Sequence, residues 1–299
     1  MRPSLSNFHL FIVTLVLGLG VAGILFSGSP AFQLIWQSSN RDSIIESSLE
    51  PLAVPKGPIV YDLSCLNDEN DVGFNPIISL GREIEKQSLE IIGPEVAVEE
   101  EMRVGKELKR ELDKEATYIT TGEKYASITQ ILSRLLAKMP EPKGFNYQIH
   151  LIKSDEINAF TAGAQIFVTT GIYDFCTSKD ELACIIGHEI YHNELGHIKK
   201  HIQKEKLLTE IGAGISRMLT IPFGQEDETM CDLKGVDLSF KSGYDACVSI
   251  KLWQRMKVKS REGDYDAIGN LFRSHPYSQK RADCIFSHIN SNYGIQCRR

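Results

Sequence analysis

The chain has 299 residues, 42% of them hydrophobic, and carries a formal net charge of −6. That length and apolar content suffice for one full-sized core with appendages. The acidic balance leaves no surplus of cations to neutralise phosphates, so no nucleic-acid partner is expected.

The first feature along the chain is an apolar run of seventeen residues, Leu10 to Phe26, interrupted only by Thr14. Signal cores hold about 7–15 apolar residues and a spanning helix about 20, so the run falls between the two. Phe8 and His9 extend it towards spanning length. Arg2 precedes it and the next basic residue is Arg41, which by the positive-inside rule places the rest of the chain outside the cytoplasm. Ser27-Gly28-Ser29 and Ser29-Pro30-Ala31 are poor cleavage sites, favouring a retained anchor over a removed signal segment. The expected organisation is a membrane anchor or signal segment over 1–30, a Ser-, Pro-, Asn- and Asp-rich linker over 31–80, the main domain over 81–292 and a tail over 293–299.

Seven cysteines leave at least one thiol unpaired within the monomer. No C-x-x-C motif occurs, and Cys65 lies too far from the apolar run to be a lipid-attachment site. In an extracytoplasmic setting Cys247, Cys284 and Cys297 are candidates for disulfides, with the pairing open.

Beyond residue 81, apolar residues at three- and four-residue spacing predict helices over 83–92, 96–116 and 125–139. Alternation predicts strands over 147–152 and 165–170. Gly171 and Thr177-Ser178 punctuate the chain before a long helix, and further helices fit 207–219, 229–241, 246–257 and 276–290. The fold class is therefore α+β, a helical majority around a small sheet.

The long helix announces its own start. Ser178-Lys179-Asp180-Glu181 is a capping box, with Asp180 and Glu181 complementing the positive helix end. The same helix runs through His188-Glu189-Ile190-Tyr191-His192, with Lys199 and Lys200 expected towards its carboxyl end. Residues four apart share one helix face, so His188 and His192 can bind one zinc ion. Glu189, directly after the first ligand, reaches a water on the ion rather than the ion itself. Zinc acidifies that water and the carboxylate accepts its proton, giving a nucleophile suited to a peptide carbonyl.

A third ligand is still required. A metzincin needs Gly and His three and six residues after His192, where Leu195 and Ile198 stand. A gluzincin takes a glutamate from a later helix, and Glu228-Thr229-Met230-Cys231-Asp232 has the spacing for it. Glu228 is then the third ligand and Asp232 accepts a hydrogen bond from a ligand imidazole. Glu262 and Asp266 share the spacing, but Gly263 between them disfavours a helix. The pair His197 and His201 lies among lysines and reads as a solvated helix end; Cys184 reads as a small buried residue.

These residues resemble the family 48 zinc endopeptidases, which include the heat-shock protease HtpX, the mitochondrial stress protease Oma and the CaaX prenyl proteases. The resemblance is carried by Asn158-Ala159-Phe160, Ile166 to Gly171, Glu181-Leu182-Ala183, His188 to His192, Glu228 to Asp232, Gly235, Gly243-Tyr244-Asp245, and His275-Pro276 with Arg281. It covers about residues 81–292, and the single apolar run favours the periplasmic or Oma-like branch. It implies a gluzincin-type domain holding one Zn2+ per chain and acting on misfolded or membrane-associated proteins, in the periplasm or the intermembrane space. It implies that 165–169 is an edge strand pairing with substrate, so that Asn158, Ala159, Gln165, Ile166, Phe167 and Val168 bind the polypeptide. It also implies that His275 and Arg281 face the cleft and stabilise the oxyanion. Cys184 and Cys231 stand where the family usually has alanine, and an oxidised pair near the metal is one consequence to check. Two rival readings share these residues: an envelope chaperone or assembly factor that rarely cleaves, and a latent protease in which His275 fills the open zinc position.

Overall fold

A computed structural model of the chain describes residues 51–66, 93–208, 223–261, 275 and 279–298. The apolar run at 10–26, the helix expected over 83–92 and the Glu262/Asp266 pair lie outside the described residues. No helix among the described residues is long and apolar enough to cross a membrane.

Helix α1 (Val98–Leu112) opens on Glu99, Glu100 and Glu101 and closes on Lys109 and Arg110, matching its dipole. Helix α2 (Glu123–Lys138) buries Ile128, Ile131, Leu132 and Leu135, one stripe at helical spacing. Strands β1 (Tyr118–Ile119), β2 (Gln148–Ile152), β3 (Ala159–Ala162) and β4 (Gln165–Thr169) form one sheet in the order β1-β2-β4-β3. β2 and β4 run parallel, with His150 beside Phe167, and β3 returns antiparallel with Phe160 beside Phe167.

That order corrects an expectation. β4 has β2 on one side and β3 on the other and is buried along its whole length, so it is not an edge strand. Gln165, Ile166, Phe167 and Val168 therefore serve the interior of the sheet. Among the described strands the outer positions belong to β1 and β3. Neither shows clear alternation in sequence, β1 being two residues long and β3 made of small residues around Phe160.

Helix α3 (Thr170–Phe175) follows β4 directly, its first turn capped by the Thr169 hydroxyl, which accepts from the Ile172 N–H at 3.2 Å. Gly171, expected to break the chain, lies inside this helix. A Cβ there would stand 2.2 Å from the Glu156 carbonyl oxygen.

Helix α4 (Lys179–Glu194) carries the HExxH motif. It ends at Leu195, and Gly196 adopts a φ of +76°, the left-handed stop that glycine tolerates. Lys199 and Lys200 consequently belong to a separate helix, α5 (His197–Leu208), rather than to the end of α4. Helices α6 (Gln225–Lys241), α7 (Val248–Arg261) and α8 (Gln279–Tyr293) complete the described fold.

Two apolar cores flank α4. One joins α2, the sheet and Leu182, Ala183, Ile186 and Ile190 of α4. The other joins Leu233, Val236 and Phe240 of α6 to Ile285 and Ile289 of α8 and to Ala53. Residues 51–66, expected within the linker, lie along α6 and α8. Leu52 N–H donates to the Phe240 carbonyl at 2.9 Å, Lys56 N–H to that of Asn292 at 2.8 Å, and Cys65 is disulfide-bonded to Cys284. Cys247 pairs with Cys297. Cys176, Cys184 and Cys231 are free thiols, so Cys184 and Cys231 do not form the oxidised pair considered above.

Candidate active site

Helix α4 is positioned at its first turn. The Ser178 hydroxyl accepts the Glu181 N–H at 3.3 Å, and Glu181 in turn accepts the Thr177 N–H at 2.7 Å. The Glu181 carboxylate also holds Arg255 of α7 through two bonds of 2.9 and 2.6 Å. One capping residue thereby fixes the helix start and docks α7 against it.

The opposite wall is set by a pair of glycines. α4 and α6 cross at Gly187 and Gly235, where a Cβ on Gly235 would lie 2.9 Å from the His188 nitrogen. Only two bare backbones fit this closely. With Gly235 at the crossing, the residues one and two turns earlier on the same face, Asp232 and Glu228, meet the HExxH histidines.

The Nε2 atoms of His188 and His192 lie 2.9 Å apart, and the Glu228 carboxylate stands 3.5 Å from the first and 3.4 Å from the second. Asp232 Oδ1 accepts the Nδ1–H of His188 at 2.8 Å, so that a neutral His188 would keep its lone pair on Nε2. Burial disfavours charge on His192 and outweighs the pull of Glu228, so its pKa lies well below the usual histidine range. Burial likewise opposes charge on His188, but hydrogen bonds to Asp232 and Glu228 prevail and raise it to about 10. Glu228 and Asp232, which burial alone would neutralise, are held ionised by positive neighbours: His275 and Arg281 for Glu228, Arg281 and His188 for Asp232. Without a metal His188 therefore holds a proton at each nitrogen, balanced by the Asp232 and Glu228 carboxylates, and a cation at its Nε2 would displace one of them.

Zinc fits this donor set. Two imidazole nitrogens and one carboxylate, all buried, converge as three protein ligands do at an open catalytic zinc. Glu189 adds an independent sign: its Oε2 is buried without a hydrogen-bond partner, and burial raises its pKa. A carboxylate oxygen left so exposes an acceptor to whatever occupies the site.

His275 also joins the cluster. Its Nδ1 lies 3.0 Å from Glu228 Oε1 and 3.4 Å from His188 Nε2, and its Nε2 lies 3.6 Å from Glu189. Arg281 does not face the cleft. It is fully buried, bonded to Asp232 at 2.7 and 2.9 Å and to Glu228 at 2.8 Å, with its guanidinium over the Trp253 ring. It pairs with two carboxylates and is absent from the cavity lining, against the expectation that it faces the cleft.

Beside Glu189 opens a cavity of about 530 Å3, open solvent at its mouth included, whose lining includes Ala159 and the polar His188, Glu189, Asp232, Ser249 and His275. Ile172, Ile185, Leu252, Trp253 and Met256 line the remainder. Asn158, by contrast, spends its backbone N–H and carbonyl on Thr169.

Three residues escaped the sequence reading. Asn193 ties α4 to the sheet: its Nδ2 donates to Thr161 at 2.9 Å and its Oδ1 accepts the Ala164 N–H at 3.0 Å. His197, read as solvated, is buried with its Nδ1 3.2 Å from Nδ1 of His192 and its Nε2 3.1 Å from Asp227. His201, its assumed companion, is buried too and stacks on Phe223 instead. The glycine before His197 was the available signal, because it stops α4 and folds the next residue back onto it.

Comparison with known proteins agrees with this geometry. Residues 123–216, which include the HExxH segment, match the model of Peptidase family M48. The metalloprotease LoiP of Escherichia coli (strain K12) is 25% identical over 203 residues, covering 61% of this chain and 78% of that protein. The mitochondrial metalloendopeptidase OMA1 of Arabidopsis thaliana is 26% identical over 157 residues, covering 48% of this chain and 32% of that protein. The beta-barrel assembly-enhancing protease of Yersinia pestis is 23% identical over 195 residues, covering 56% of this chain and 40% of that protein. The chain spans less than half the length of the last two.

Proposed function

We propose that this chain, similar to peptidase family M48 over residues 123–216, is a member of that family and a single-zinc endopeptidase hydrolysing peptide bonds in misfolded or membrane-associated proteins. One observation carries the reading. The Nε2 atoms of His188 and His192 meet the Glu228 carboxylate at one buried point, next to the unpartnered Glu189 oxygen and an apolar cavity.

A bound zinc ion would supply Lewis acidity to a carbonyl and acidify a water. With the ion in place, Glu189 would accept a proton from such a water and pass it to the leaving amine. Its raised pKa suits both halves of the task, since it must accept a proton and then release it. Asp232 keeps the His188 proton on Nδ1, and Arg281 keeps Glu228 and Asp232 ionised. Of the described strands β3, outermost in the sheet and reaching the cavity through Ala159, would pair with an extended polypeptide, in the role first expected of β4. The cavity beyond Ala159 and Glu189 takes a large apolar side chain next to the scissile bond.

The two disulfides support an oxidising, extracytoplasmic location. Anchoring by the run at 10–26 accords with access to membrane-associated substrates.

The test is Glu189→Gln on the full chain, with metal analysis beside digestion of an unfolded casein-type substrate. The variant keeps one zinc per chain and loses about 10²–10⁴-fold in cleavage. Undiminished, chelator-insensitive digestion overturns the mechanism, while client capture without any cleavage in the wild type favours the chaperone reading. His275 among the donor atoms favours a second state of the same enzyme, a latent one with that imidazole in the open position. In that case His275→Ala raises activity rather than lowering it.

A further inference from the structure

We propose that His197, itself held by Asp227, positions the zinc ligand His192 and thereby sets much of the site's affinity for the metal. The inference rests on the zinc reading above.

The argument begins with chain geometry. On a continuous helix, a residue five positions after His192 would lie about 140° away around the axis, facing elsewhere. Gly196 at φ +76° ends α4 and turns the chain, so that His197 begins α5 folded back over His192. The two Nδ1 atoms approach to 3.2 Å inside a buried pocket also occupied by Phe223 and Cys231.

Proton bookkeeping then fixes the tautomers. An imidazole that offers Nε2 to a metal carries its proton on Nδ1 and needs an acceptor there. Facing that proton is His197 Nδ1, which has a lone pair only when the His197 proton sits on Nε2. Asp227 Oδ1, 3.1 Å from that Nε2, accepts it. Each proton in the row Asp227–His197–His192 has one place to go, and the row ends in a lone pair at the metal point. Cys231 Sγ is 3.4 Å from the same His197 nitrogen, and burial keeps it a neutral thiol, a weak partner beside an imidazole.

The two ligand histidines are thus oriented from opposite sides by different means. His188 leans directly on the carboxylate of Asp232 at 2.8 Å. His192 reaches its carboxylate through an intervening ring.

Competition of the full-length protein with a chromophoric chelator measures zinc affinity, and the visible spectrum of the cobalt-substituted protein reports ligand geometry. His197→Leu removes the acceptor and weakens zinc binding about 10–100-fold, with a changed cobalt spectrum. His197→Gln keeps an acceptor oxygen towards His192 and a donor towards Asp227, and recovers most of the loss. A purely packing role predicts no such difference between Leu and Gln. Asp227→Asn, altering a side chain 34% exposed and so tolerated by the fold, weakens zinc binding several-fold and decides the matter if the Leu variant does not fold. Wild-type affinity in the Leu variant (or in Asp227→Asn where that variant decides) overturns the proposal. So does a Gln variant no better than Leu, or a wild-type content of two zinc ions per chain, which would make His197 and Cys231 ligands themselves. A wild type that binds no zinc overturns the functional reading instead.

Discussion

On its sheet side, α4 presents Leu182, Ala183, Ile186 and Ile190 to α2 and the strands; on its other side, His188, Glu189 and His192 meet Glu228, Asp232 and Arg281. Both sides are buried to a similar degree, yet the forces differ. Apolar burial stabilises the first through area alone, in any order of contacts. The second confines ionised groups where each needs a particular partner, because a buried charge without one is costly. The same helix is thus a core element in one direction and a donor platform in the other.

The sharpest way to separate the sides is Arg281→Met. Methionine fills much of the arginine stem's volume but strands Glu228 and Asp232 as neighbouring buried carboxylates. The expected loss is about 3–5 kcal/mol in denaturant unfolding of the metal-free protein. Added zinc recovers part of it, because a cation at the histidines supplies charge that the guanidinium supplied. A loss below about 1 kcal/mol would show that the network is not load-carrying.

Leu135→Ala probes the sheet side. Leu135 is fully buried on α2, and its truncation costs about 2–5 kcal/mol through lost transfer energy and the cavity left behind. Here the expected signature is indifference to zinc: the same difference from wild type with and without the metal. A loss that zinc repairs would dissolve the contrast between the two sides.

Cys65→Ala with Cys284→Ala tests a third source of order, covalent closure. The bond links residues 219 apart and secures the segment 51–66 on α8. Its removal costs about 2–4 kcal/mol, read as a lower melting temperature that reductant no longer changes through this bond. Zinc content stays at one per chain, since none of the donor atoms belongs to the segment. An unaltered melting curve would mean that the hydrogen bonds of Leu52, Lys56 and Tyr61 suffice.

What was legible in the sequence follows this division. The α4 and α6 motifs could be read because their chemistry is local: four-residue spacing on a helix decides which side chains share a face. Glu228 and Asp232 meet the histidines as that spacing implies. Strand neighbours are a different matter. The family resemblance puts 165–169 at an edge, but their position between β2 and β3 is set by topology, which a five-residue stretch does not encode. His197 was misplaced for a related reason: a helical pattern carried past Gly196 sends it to solvent, and one positive φ reverses that. Arg281 reads as a cleft residue until its two carboxylates, about fifty positions earlier, are found around it. The Cys65–Cys284 pair, farther apart still, leaves no local trace at all.

Glu101 is the smallest and most particular exception on the sheet side. It lies on α1 where that helix crosses the β3–β4 turn, so close that a Cβ on Gly163 would overlap its carbonyl oxygen. Its Oε2 is buried without a hydrogen-bond partner. Burial raises its pKa to about 7, with Lys143 and Lys199 only partly opposing. The folded protein therefore holds this proton more tightly than the unfolded chain does. Stability associated with the neutral form is complete below about pH 4.5, declines as pH rises, and is lost once pH passes about 7. Glu101→Gln removes the ionisation and should stabilise by about 1–2 kcal/mol at pH 8 while changing little near pH 4. Melting curves across that range check it. A stabilisation equal at both pH values would trace the effect to packing, and a destabilisation at pH 8 would reveal a partner for the charged carboxylate. The second result would move Glu101 to the other side of the comparison, among the charges that this fold pairs.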